Sequence, residues 1–114
     1  MARPTYLLGR ELVNVAGESH YQDALREIAG GAEEVRLERE AVLLPEPDNP
    51  YDPKAVQVLI EDRLVGYLPR AAAAAYRAQV AEIAGRGREP RCEAMVAGRG
   101  GILGVFLRLP EPTG

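Results

Sequence analysis

The sequence is poor in the residues that build cross-links and metal sites. Its one cysteine, Cys92, excludes an internal disulfide, and its one histidine, His20, cannot complete a zinc shell with it. No metal or other cofactor is therefore expected. Long apolar runs are also missing. The first ten residues hold only Tyr6 to Leu8 as an apolar stretch, shorter than a signal-peptide core, and nothing approaches a membrane span. The expected setting is cytoplasmic, without a membrane partner, where a lone thiol stays reduced. A global positive field is lacking too: the net charge of -3 excludes the broad cationic surface on which non-specific duplex binders rely.

What is present fits one domain. The 114 residues are 46% hydrophobic and 27% charged, enough for a single core and too few for two. Charge is uneven along the chain, with an acidic excess over residues 1–61 and eight arginines against four acids over residues 62–108. The second half thus reads either as a basic face or as arginines scattered over a solvated surface.

Two segments carry helical signals. Ser19-His20-Tyr21-Gln22 has the form of a capping box, followed by an apolar stripe of Tyr21, Leu25 and Ile28 and a stop at Gly30-Gly31. A second helix opens after Leu68 with Pro69 in its first turn and ends at Gly85. Tyr76, Val80 and Ile83 form its buried stripe, and Arg70 and Arg77, seven residues apart, share a neighbouring face. The rest alternates with a period of two: Leu12 to Ala16, Glu34 to Leu44, Val56 to Ile60, Leu64 to Leu68, Arg91 to Ala97 and Ile102 to Leu109. Glu61-Asp62-Arg63 turns one hairpin, and Gly98-Arg99-Gly100-Gly101 joins the last pair. The expected fold is mainly β with two helices (α+β), six short strands closing as a small OB-like barrel. Residues 1–11 read as a leader, 12–109 as the domain and 110–114 as a tail, the ends being either disordered or packed along an edge.

Three places can carry chemistry. The first is the loop from Pro45 to Ala55, with four prolines in nine residues, stiff before anything binds. Tyr51 there offers a face on which a base can stack and Asp52 a hydrogen-bond acceptor. The alternative is a purely structural turn, with Asp48 and Asn49 closing Asx turns and Tyr51 anchoring the loop on the core. The second is His20 with Tyr21 at a helix start, where unpaired amides favour a phosphate; equally, His20 is a solvated residue and Tyr21 the first of the core stripe. The third is Leu64 to Arg70, where Gly66 allows close approach of a ligand or a backbone, Tyr67 projects beside it, and Arg70 follows on the helix. No nucleophile elbow, Walker loop or dinucleotide fingerprint is present, so no enzyme is expected. Asp48, Asp52 and the acids from Glu33 to Glu40 alternate with arginines or sit on different elements, a solvated pattern rather than a magnesium site. Cys92, in an alternating strand, reads as a small core residue.

Read together and in this order, Val15-Ala16-Gly17-Glu18-Ser19-His20-Tyr21, the run from Asp48 to Val58 (DNPYDPKAVQV) and Val65-Gly66-Tyr67-Leu68-Pro69 resemble the HIRAN domain. That module occurs in some SWI/SNF-like ATPases that remodel stalled replication forks and as free-standing bacterial proteins. The resemblance covers Leu12 to Leu109 and implies an OB-like barrel that grips the 3′ end of single-stranded DNA. By motif position it implies Tyr51 as a stacking aromatic, Asp52 as acceptor for the 3′-hydroxyl, Asn49 as a brace, His20 as a second stacking residue and Arg70 as a phosphate contact. Tyr67 lines the site where fork-remodelling members carry a histidine, and Ser19 stands in place of a family arginine. A role in DNA repair or fork processing beside a separate helicase or nuclease follows from the resemblance alone. Two other functions use the same residues differently: a protein-interaction domain without DNA binding, and a metal-dependent hydrolase working through Asp48, Asp52 and His20.

Overall fold

Alternation of apolar and polar residues becomes strand wherever one side of the chain can be buried, and among the described residues this happens seven times. A computed structural model describes residues 3–32, 34–99 and 102–112. Its strands are β1 (Pro4–Tyr6), β2 (Glu11–Asn14), β3 (Glu34–Pro45), β4 (Val56–Ile60), β5 (Arg63–Tyr67), β6 (Glu89–Arg99) and β7 (Ile102–Leu109), with helices α1 (Gln22–Ala29) and α2 (Arg70–Gly85). The α+β class expected from the sequence holds.

The strands form one sheet in the order β2-β7-β6-β3-β4-β5, with β1 pairing in parallel to β6 and every other pair antiparallel. β3 is the pivot. Residues Glu34 to Val42 pair with β6, whereas Val42 to Pro45 pair with β4, so one strand hands the sheet from one partner to the next. The sheet does not close as a continuous barrel, which corrects the closed six-stranded expectation. Its two edges meet at one bridge, Ala16 with Tyr67, through Ala16 N to Tyr67 O at 2.8 Å and Tyr67 N to Ala16 O at 2.9 Å.

Gly66 permits that meeting. A Cβ there would lie 2.3 Å from Val15 Cγ1 and 2.6 Å from the Ala16 carbonyl oxygen, and its φ of +154° is one that side chains disfavour. The close neighbour that the glycine admits is thus the chain's own backbone. β5 begins at Arg63, and Glu61 and Asp62 alone make the preceding turn, both left-handed (φ 52° and 63°) as a two-residue hairpin of this hand requires.

Residues 3–11 of the expected leader are part of the fold, packed along the edge of β6: β1 pairs there and Leu7 is buried in the core. The core also takes Leu25 from α1, Leu43, Val56, Val58, Ile60 and Val65 from the central strands, and Val96, Val105, Leu107 and Leu109 from the last hairpin. α2 buries Ala73, Tyr76 and Val80, and the Tyr76 hydroxyl donates to the Pro110 carbonyl, which ties the start of the tail to the helix. Pro69 stands just outside α2 as its cap rather than in its first turn. Gly98 and Arg99 belong to β6; residues 100 and 101 of the expected turn, Glu33, and the outermost residues of leader and tail lie outside the described residues.

The capping box does not form. Gly17 (φ 75°) precedes a 3₁₀ turn, Glu18–Tyr21, with no side-chain cap, and α1 starts only at Gln22. The reason is long-range. β2 covers β7 only from Phe106 to Leu109, which leaves the main-chain groups at Leu103 facing outward. Gln22 meets both: its Nε2 donates to Leu103 O at 2.8 Å and its Oε1 accepts from Leu103 N at 2.9 Å. Glu18 Oε2 accepts likewise from Val105 N at 3.2 Å. Gly30, left-handed at φ 71°, ends α1 as expected.

Candidate nucleic-acid interface

The β3–β4 loop follows from its own chemistry. Its prolines restrict the main chain, and Asn49 closes what remains: Oδ1 accepts from Tyr51 N at 2.9 Å and from Asp52 N at 3.0 Å. Asp52 makes a further turn, Oδ1 accepting from Lys54 N at 2.9 Å, and Ala55 N donates to Asp52 O at 3.0 Å. Of the two Asx turns in the structural reading, the one at Asn49 is present; the Asp48 side chain makes no hydrogen bond among the described residues, and Asp52 closes the second turn instead. Tyr51, however, does not anchor the loop: it is 89% exposed, the most exposed of the large apolar side chains among the described residues.

Beneath the loop lies an acid that sequence reasoning missed. Glu46, half-buried at the end of β3, accepts from Asn49 Nδ2 at 3.0 Å, from the Tyr67 hydroxyl at 2.9 Å and from Gln57 Nε2. One carboxylate thereby fixes the loop to β4 and β5. Burial raises the Tyr67 phenol above its ordinary pKa of 10.0, and the hydrogen bond to Glu46 adds to that rise. The one available sign in the sequence was a lone acid in a proline loop two residues before Asp48, which does not reveal three partners on separate elements.

These residues border a cleft of about 300 Å³ lined by Asn49, Tyr51, Asp52, Ala55, Tyr67, Leu68 and Arg70. Five of the six residues singled out from sequence thus come together, from a loop, a strand end and the first turn of a helix. Leu68 N donates to Val56 O at 3.0 Å, which holds the crossing from β5 into α2 against β4 and sets Arg70 beside the loop. The Asp52 side chain is 24% exposed, and its Oδ2 lies 3.9 Å from Arg70 Nε, whose side chain is 82% exposed. Such a spaced, open pair is weak. The carboxylate keeps capacity to accept, and the guanidinium keeps donors free for an anion.

His20 does not line the cleft. It is exposed on the 3₁₀ turn that packs against β5, its N–H donating to Gly17 O at 3.0 Å. An acid, Glu18, occupies the first turn there, and a four-residue turn has little dipole to offer an anion. Tyr21 is half-buried and is not among the residues packed on the core, so it does not open the buried stripe of α1. Asp48 is exposed and also outside the cleft, and no group of three His, Cys, Asp or Glu side chains among the described residues is arranged to hold a metal ion. Cys92 is a core residue, its thiol pushed up to about 12 by burial. No helix among the described residues is long and apolar enough to cross a membrane.

No curated protein and no solved structure matches the chain. One family model does: that of the HIRAN domain, over residues 8–83, a span that contains β2, the 3₁₀ turn, α1, the proline loop and nearly all of α2. The chain belongs to the HIRAN domain family, whose members generally bind nucleic acid.

Proposed function

We propose that this domain is a binding module for single-stranded DNA that recognises the free 3′-hydroxyl end. The observation that carries the reading is the pairing, in one cleft, of an outward tyrosine ring with a partly buried carboxylate on a loop fixed by three side-chain-to-main-chain hydrogen bonds. The terminal base stacks on Tyr51, whose π face accepts any base and so confers no sequence preference. Asp52 accepts the proton of the terminal hydroxyl. A terminal phosphate in its place brings two like charges together, so the same residue selects against phosphorylated ends. Arg70 neutralises the nearest backbone phosphate, and Tyr67 and Asn49 wall the cleft and hold its shape. His20, outside the cleft on the adjoining turn, is a flanking contact. The setting is DNA repair or replication-fork processing in the cytoplasm, beside a separate helicase or nuclease.

The test is fluorescence-anisotropy binding of one short strand bearing a 3′-hydroxyl against the same strand bearing a 3′-phosphate. Wild type prefers the hydroxyl, Asp52→Asn narrows the preference, and Tyr51→Ala loses about 1–3 kcal/mol of binding to either. Because the Tyr51 ring is exposed, that variant keeps its folding stability. Equal binding of both strands by the wild type removes end recognition; absence of binding at any salt leaves a protein-interaction domain.

A further inference from the structure

Most arginines of the sheet are already neutralised. Arg39 pairs with Glu61, Arg63 with Glu27, Arg91 with Glu40 and Glu89, Arg99 with Glu34, and Arg108 with Glu38. The cleft end of α2 differs. Lys54 and Arg77 take part in no ion pair among the described residues, and Arg70 reaches Asp52 only at 3.9 Å. The positive charge left over from internal pairing therefore includes a group beside the one cleft that the sequence and the fold both single out.

Helix geometry arranges these cations in a row. Arg70, Ala74 and Arg77 fall at i, i+4 and i+7 on one face. Arg70 and Ala74 line a second hollow of about 380 Å³ with Tyr51, Asp52, Pro53 and Lys54, continuous with the cleft through Tyr51, Asp52 and Arg70. Arg77 comes one turn further, about 10 Å along the axis from Arg70. Its Nε is shut off from solvent and has no hydrogen-bond partner among the described residues. A donor closed to solvent is closed to a docking phosphate as well, so what Arg77 offers a strand is the unpaired charge of a half-buried side chain rather than this N–H. Between the two arginines the helix presents only alanine, Ala71 to Ala75, together with Tyr76 on its buried side, so no long side chain on this face keeps a backbone at a distance.

We propose that the Arg70–Ala74–Arg77 face of α2, with Lys54 opposite, is a phosphate track for the strand on the 5′ side of the nucleotide held in the cleft. This rests on the end-binding reading above and extends it. A strand anchored at its 3′ end on Tyr51 and Asp52 has one open direction along α2, so the track fixes the polarity of binding and sets a site of about three nucleotides. Arg77 contributes through its charge to a backbone phosphate and reads no base.

The experiment uses the whole chain as wild type, Arg77→Gln and Arg77→Lys, with a dinucleotide followed by NMR titration and an octanucleotide by anisotropy, both ending in a 3′-hydroxyl. Arg77→Gln is expected to weaken octanucleotide binding about tenfold and to leave the dinucleotide within about twofold. Over roughly 50 to 200 mM salt, its log–log slope for the octanucleotide falls by about 0.7, the contribution of one single-strand phosphate, while Arg77→Lys keeps the wild-type slope. Removing a dry, unpaired donor does not lower the thermal midpoint, so a binding loss in a fully folded variant is separable from damage to the fold. Equal octanucleotide binding by wild type and Arg77→Gln overturns the track and leaves the cleft reading intact. So does an equal loss on both lengths, which assigns Arg77 a structural part. A wild type that binds neither oligonucleotide overturns the cleft and the track together.

Discussion

Replacing Glu46 by alanine tests how the cleft is held together. The carboxylate is the common acceptor of Asn49 Nδ2 at 3.0 Å, the Tyr67 hydroxyl at 2.9 Å and Gln57 Nε2. Hydrogen bonds to a charged group contribute about 1.5–3 kcal/mol each when the partner is stranded without replacement. Asn49 borders the open cleft, where water takes over as acceptor, so only the bonds from Tyr67 and Gln57 count strongly. Allowing water to recover about half of their sum leaves a loss of about 1.5–3 kcal/mol. For a domain of this size that lowers the midpoint of thermal unfolding by roughly 6–13 °C. Glu46→Gln keeps the shape and one acceptor oxygen and loses about 1 kcal/mol. Urea denaturation gives both values, with the slope m unchanged if only the folded state is affected. A second readout is specific to the network. In Glu46→Ala the Tyr67 phenol, followed by NMR of labelled tyrosine, titrates lower than in wild type because its acceptor and the neighbouring charge are gone. It stays above 10.0 because burial is the larger cause of the shift. A stability loss under about 0.5 kcal/mol with an unmoved Tyr67 titration refutes the idea that Glu46 ties the loop to the sheet.

Two other outcomes follow from the fold. Gly66→Ala forces a methyl group into the Ala16 carbonyl and the Val15 side chain, so it costs at least about 2 kcal/mol in urea and removes hydrogen-exchange protection at the Ala16 and Tyr67 amides. Unaltered protection there shows that the sheet edges do not depend on that contact. For Cys92, burial raises the folded-state pKa from 9.0 to about 12. Its neutral thiol therefore supports the fold fully below pH 9, and the support falls as pH rises toward 12, by up to about 1.4 kcal/mol per pH unit. Between pH 9 and 10, Cys92→Ala has the flatter stability curve, and native wild type resists alkylation at pH 8 until denaturant is added; rapid modification of the native protein contradicts the burial.

The strand periodicity, the two helices and the stiffness of the proline loop were legible because each depends on neighbours a few residues apart. Asn49 announced its turn in the same way, since an Asx side chain bonds main-chain groups two or three positions on, whereas the second turn falls at Asp52 and not at the expected Asp48. Gln22 shows where such reading fails. Locally it completes a capping box with Ser19, yet in the folded chain it bonds Leu103, because β2 stops short and leaves that part of β7 with open main-chain groups. The single pairing of Ala16 with Tyr67 is equally unreadable from either segment, and so is the parallel addition of β1 to β6.

Sequence by itself determined the class of fold, the family pattern and five of the residues that share the cleft, since alternation, proline restraint and short polar turns act along the chain. Tertiary structure alone decided that Tyr51 points to solvent, that Glu46 gathers Asn49, Gln57 and Tyr67, and that Lys54 and Arg77 form no ion pair among the described residues while most arginines of the sheet pair with glutamates. The physical reason is the same in each case. Exposure, shared acceptors and charge pairing depend on distances between residues far apart in the chain, and only the folded sheet sets those distances.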